Sequence, residues 1–103
     1  MAQFDVFVNP VRAARSTYPF VVAMQSDSEA TAAYQLVAPI AAHATFTTGG
    51  RLTPKVEIHG QEHVVLVPQM AVMRSRDLRS NVESLAPARR ELLAAIDYLF
   101  FGV

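Results

Sequence analysis

This chain reads as β-rich over about its first two-thirds, with apolar residues at a period of two in segments such as Tyr18 to Gln25 and Val56 to His59, and takes on the period of a helix only once, near its end. A strand shows alternate side chains to opposite faces, so a chain patterned this way has to bury its apolar residues in a sheet. One helix is then left to cover part of that sheet. The expected fold class is mainly β with one C-terminal α-helix.

Phe4 to Val8 is rich in Phe and Val, which suit a pleated surface, and Asn9-Pro10 ends it. Tyr18 to Gln25 reads as a second strand, with Tyr18, Phe20, Val22 and Met24 on one face. Ser26-Asp27-Ser28 supplies turn-forming side chains. Tyr34 to Ala41 is a third strand, bent or at an edge where Pro39 sits. Thr47-Thr48-Gly49-Gly50 reads as a loop. Val56 to His59 alternates in and out. Gly60-Gln61 is read as a hairpin turn leading to Val64-Val65-Leu66-Val67, a run apolar on both faces and so expected to be covered on both sides. Met70 to Met73 reads as a short further strand. Arg74, Arg76 and Arg79 read as a solvated loop.

The helix starts at Ser84 or Ala86, with Pro87 in its first turn, where the missing N–H is no loss. Leu92, Ile96, Leu99 and Phe100 form its buried stripe, and Gly102 is read as its C-terminal cap. Phe101 points about 100° away from the stripe on an ideal helix. Tyr98 also faces away. An outward aromatic at the end of a helix is a candidate recognition point, because aromatics dominate binding hot spots. The plainer alternative packs Phe101 on the neighbouring sheet.

Composition narrows the function. The 103 residues are read as one domain, residues 1–103, with no repeat or linker. Hydrophobic residues make up 51% and charged residues 17%, which leaves apolar surface for a partner. Nine basic residues balance nine acidic ones, so the basic excess of a phosphate-neutralising nucleic-acid binder is missing. There is no cysteine, which excludes disulfides, thiolate catalysis and Cys-ligated zinc and suits a cytoplasmic protein. No signal peptide is read at the N-terminus, and the apolar runs Leu36 to Ala42 and Val64 to Pro68 are too short to span a membrane.

Catalytic patterns are weak. His59 and His63, with Glu57 and Glu62, could approach one another across the hairpin, but histidines on exposed strand positions are ordinarily plain surface residues. His43 stands alone. Ser75, Ser80 and Ser84 lack a His/Asp pairing, and Gly49-Gly50-Arg51 lacks phosphate-loop spacing. No cofactor, metal or catalytic residue is expected.

Several segments, taken together and in order, resemble the CcdB family, the toxin of a toxin–antitoxin pair. They are Gln3-Phe4-Asp5-Val6, Tyr18 to Asp27, Val37-Ala38-Pro39-Ile40-Ala41, Leu52-Thr53-Pro54-Lys55-Val56-Glu57-Ile58, Met70-Ala71, and the closing Phe100-Phe101-Gly102-Val103. The resemblance implies an SH3-like barrel of the CcdB/MazF-Kid type, an antiparallel sheet with a small second sheet, and a homodimer. It implies binding to the A subunit of DNA gyrase, which is trapped on cleaved DNA, and neutralisation by a CcdA-like antitoxin that itself makes the operator contacts, leaving this chain no direct nucleic-acid role. The family's poisoning residues end Trp-Gly-Ile; the matching positions here are Phe101, Gly102 and Val103. Phe stacks on a guanidinium less strongly than Trp and lacks the indole N–H. Asp97 stands where the family has asparagine. Two alternatives follow. One is a non-toxic relative that binds an antitoxin only. The other is an endoribonuclease like the MazF/Kid toxins, but Tyr18-Pro19 stands where those enzymes carry an arginine before proline.

Overall fold

The computed structural model describes residues 1–26, 28, 32–43 and 50–103. Among the described residues are seven strands, β1 (Asp5–Val8), β2 (Phe20–Ala23), β3 (Tyr34–Ala42), β4 (Lys55–Ile58), β5 (Gln61–Val65), β6 (Ala71–Arg74) and β7 (Asn81–Ser84), followed by α1 (Arg89–Phe101). All pairings are antiparallel, in the order β4-β5-β3-β2-β1-β7, with β6 also paired to β3. The turn at Asp27 and the loop at Thr47–Gly49, expected from the sequence, lie outside the described residues.

β3 organises the sheet. Its first half pairs with β6 (Leu36 opposite Val72) and its second half with β5 (Ile40 opposite Val65), both on the edge away from β2. Pro39 sits at the changeover. Its carbonyl accepts the Leu66 N–H at 2.9 Å, so its polar edge faces the gap between the two partners, where no N–H is required. Pro39 therefore lies inside a central strand at the one point that tolerates it. The described strands form one continuous sheet, and the β4–β5 hairpin, joined to the rest through β3, stands in place of the separate small second sheet expected.

The sheet curls into a half-barrel. The turn between β4 and β5 touches β7, although these lie at opposite ends of the strand order: the His59 N–H donates to the Glu83 carboxylate at 2.9 Å, and His59 Nε2 lies 3.2 Å from the Val82 carbonyl. That turn comprises His59 (φ 53°) and Gly60 (φ 77°), flanked by the pair Ile58–Gln61. Two positive φ values match the twist of a two-residue hairpin. The turn is one residue earlier than the expected Gly60-Gln61.

The concave face carries the main core: Val6, Val22, Ile40, Ile58, Val65 and Leu92 among others. The opposite face is covered in two places. Phe7, Val21, Ala23 and Val37 meet Leu78, while Ala41, Val64 and Leu66 meet Tyr18. Covering on both sides explains why the Val64 to Val67 run is wholly buried, as its lack of alternation predicted. Tyr18 precedes β2 and packs on this second face, not with Phe20, Val22 and Met24.

Three features differ further from the sequence reading. β7 was not expected; it holds by pairing with β1 across a bulge between Val6 and Phe7. Ser84 closes that strand, and α1 begins only after a single 3-10 turn, Ala86–Ala88, which contains Pro87. The arginine segment is partly ordered: Arg74 ends β6 and pairs with Asp77 at 3.6 Å, and Arg79 Nε donates to the Arg76 carbonyl at 3.1 Å.

Candidate functional site: the end of the terminal helix

α1 is seated by a narrow stripe. Leu92 and Ala95 are fully buried in the main core, and Leu93, Ile96 and Leu99 pack at its margin. At its start, Phe4 lies in the left-handed region (φ 70°), held by its N–H donating to Ala23 at 2.7 Å and its carbonyl accepting from Leu85 at 2.8 Å. A bulky residue costs about 1–2 kcal/mol there. Those two bonds tie the approach to α1 to β1 and β2. Arg89 reinforces the joint by donating to Gln3 Oε1 at 2.8 Å.

The other end of α1 runs past the core. Phe100 was expected in the buried stripe, but it is 63% exposed. Phe101 is 74% exposed and Val103 77%. The helical spacing of Phe100 is right, but the apolar neighbours stop at Leu99. The two rings project about 100° apart. Gly102 ends the helix at φ 71°, ψ 18°, and its N–H donates to the Tyr98 carbonyl at 2.9 Å. This is the left-handed cap expected from the sequence. A Cβ at Gly102 would meet no atom within 4 Å, so glycine serves the backbone conformation and not a close approach.

Tyr98 and Arg51 form a contact that the sequence did not reveal. The guanidinium carbon of Arg51 lies 4.6 Å from the centroid of the Tyr98 ring. It joins the turn at residues 50–53 to the last turns of α1, and no local pattern signals a pairing over that separation. Asp97 is exposed beside it.

The remaining candidates are dispersed. His59 and His63 both approach Phe20 edge-on, at 6.5 and 5.6 Å between centroids. His63 is buried, contrary to expectation, with Nδ1 donating to the Gln61 carbonyl at 2.9 Å. His43 lies 3.3 Å from Glu62. Among the described residues, no group of three or more His, Asp or Glu side chains is placed to hold a metal ion. Ser75 opens a 3-10 turn after β6, Ser80 lies in the connection before β7, and Ser84 ends β7. An open groove of about 700 Å³ runs between the segment after β1 and the β6 to β7 connection, with Val11, Arg15, Val72, Arg74 and Arg79 on its walls. Among the described residues, no helix is long and apolar enough to cross a membrane.

The geometry at the end of α1 suits recognition by contact. It offers two exposed rings on a capped helix. A search of curated proteins finds no match. The family model for the CcdB protein matches residues 3–102. The match spans the opening strand, every paired strand and the helix through its cap. The chain belongs to the CcdB family, the toxin type of a toxin–antitoxin pair.

Proposed function

We propose that this protein is the toxin of a type II toxin–antitoxin pair that binds the A subunit of DNA gyrase, traps it on cleaved DNA, and is neutralised by a CcdA-like antitoxin. It works in the cytoplasm as a homodimer, by binding and not by catalysis, with Phe101, Gly102 and Val103 as the gripping residues. The observation that carries this reading is the exposed Phe101 ring on a Gly102-capped helix in a chain of this family. A ring so exposed loses water on binding and can stack on a guanidinium face.

The partner surfaces have physical support. Tyr34, Val72 and Phe100 are large, apolar and more than half exposed, a pattern that favours a covering copy of the chain. The open groove carries Arg15, Arg74 and Arg79 against the single carboxylate of Asp77, which pairs with Arg74, together with the apolar Pro10 and Val11, and this net basic lining favours an acidic antitoxin segment with apolar side chains.

Induced expression should arrest growth, and purified protein should produce gyrase-dependent DNA cleavage. Intact DNA at micromolar protein would defeat the proposal. A second reading, an antitoxin binder without toxicity, is favoured by Phe101 standing where the family has Trp. The exchange weakens stacking by about 1–2 kcal/mol, roughly five- to thirtyfold. On that reading Phe101→Trp creates toxicity while antitoxin affinity stays unchanged. A natural protein that is already fully toxic removes it. Incubation with total RNA tests the ribonuclease alternative, which intact RNA would eliminate.

A further inference from the structure

The last turn of α1 is held from outside the helix. The Tyr98 carbonyl accepts the capping N–H of Gly102, so the position of Tyr98 fixes the cap. The Tyr98 ring is half-buried, and Arg51 lies over it at 4.6 Å. Arg51 belongs to a separate turn, closed by the Thr53 N–H donating to the Gly50 carbonyl at 3.1 Å. α1 has no basic residue in its last turn. Asp97 puts a negative charge near the negative end of the helix dipole, an unfavourable placement. Arg51 supplies, from another segment, the cation this helix end lacks. Tyr98 and Phe101 are three apart and therefore neighbours on the helix surface.

We propose that Arg51 is a positioning residue for the end of α1: its cation–π contact with Tyr98 keeps the capped turn wound and so keeps Phe101 presented to the partner. The proposal rests on the reading that Phe101 grips a target protein. An exposed cation–π contact changes an equilibrium by about two- to fivefold. Helix ends have low local stability, so the wound fraction, and with it the apparent affinity, falls by up to that factor when the contact is lost.

The test compares Arg51→Gln, Arg51→Lys, Tyr98→Leu and the Gln/Leu double variant in the intact protein. Two quantities are read: amide hydrogen exchange at Gly102 by NMR, and binding to purified gyrase A subunit. Arg51→Gln and Tyr98→Leu should each speed Gly102 exchange about two- to fivefold and weaken binding by up to that factor, with core amides such as Ile40 unchanged. Arg51→Lys should keep most of the protection, and the double variant should be no worse than either single one. Unchanged Gly102 exchange in Arg51→Gln overturns the proposal. So do additive effects in the double variant, and so does faster exchange with undiminished binding. Phe101→Ala separates the two readings. If it leaves binding intact, the gripping role of Phe101 fails, whatever the exchange data show about Arg51. If it removes binding while Arg51→Gln changes nothing, only the role of Arg51 fails.

Discussion

Substituting Gly102 should damage recognition while leaving the fold nearly untouched. Gly102 sits at φ 71°, ψ 18°, and an added Cβ would touch nothing. The cost of Gly102→Ala is therefore that of forcing an L-residue into the left-handed region, about 1 kcal/mol, equivalent to roughly fivefold in an equilibrium. The chain can avoid that cost by unwinding its last turn. Doing so gives up little burial, because Phe100 and Phe101 are already mostly exposed, while Leu92 and Ala95 stay in the core. Global stability should fall by less than the full amount, so the melting shift stays below the roughly 4–8 °C that 1 kcal/mol produces in a domain of this size. Binding, which needs the wound turn, should carry the remainder of the cost and weaken by up to about fivefold. Gly102→Asn should lose less, because asparagine enters the left-handed region more readily. Urea denaturation and a binding titration against gyrase A subunit measure the two effects. The reasoning fails if stability drops by the full amount with binding intact, or if Ala binds as tightly as glycine.

Three further expectations concern the scaffold. Leu92→Ala empties a fully buried site beneath α1 and should cost about 2–5 kcal/mol by urea denaturation; a loss under about 1 kcal/mol would mean that α1 is not seated as described. Asn9 is buried, with its amide donating to the Tyr18 carbonyl at 2.9 Å and its oxygen accepting from the Val11 N–H at 2.9 Å, so Asn9→Ala should cost about 1–3 kcal/mol. A neutral result in the same assay would show that water replaces both bonds. Gly60→Ala, at φ 77° with open space around it, should lose about 1 kcal/mol through backbone strain alone, and an unchanged midpoint would contradict the two-residue turn.

Much of this architecture is legible in the amino-acid sequence because it is encoded locally. The alternation of Val56 and Ile58 with Glu57 marks a half-buried strand, the unbroken run from Val64 to Val67 marks a doubly covered segment, and Gly102 after a helical stripe marks a left-handed cap. What is missed depends on partners distant in sequence. β7 has a single apolar residue, Val82, and is a strand only because β1 lies beside it. Phe100 continues the helical stripe in spacing, but the sheet beneath ends before it. Periodicity assigns a face to a side chain, but it does not say how far the opposing surface extends. The Arg51–Tyr98 contact and the burial of His63 are invisible for the same reason. At the site itself, the outward direction of Phe101 and its glycine follow from helix geometry, whereas the clasp over Tyr98 does not.

The most direct trial of the whole account is Phe101→Ala, with gyrase A binding and thermal stability measured on the same preparation. A ring 74% exposed contributes little to the core, so the melting temperature should stay within about 2 °C of the natural protein while gyrase binding is lost. Undiminished binding by a stable Ala variant would contradict the claim that this ring is the grip.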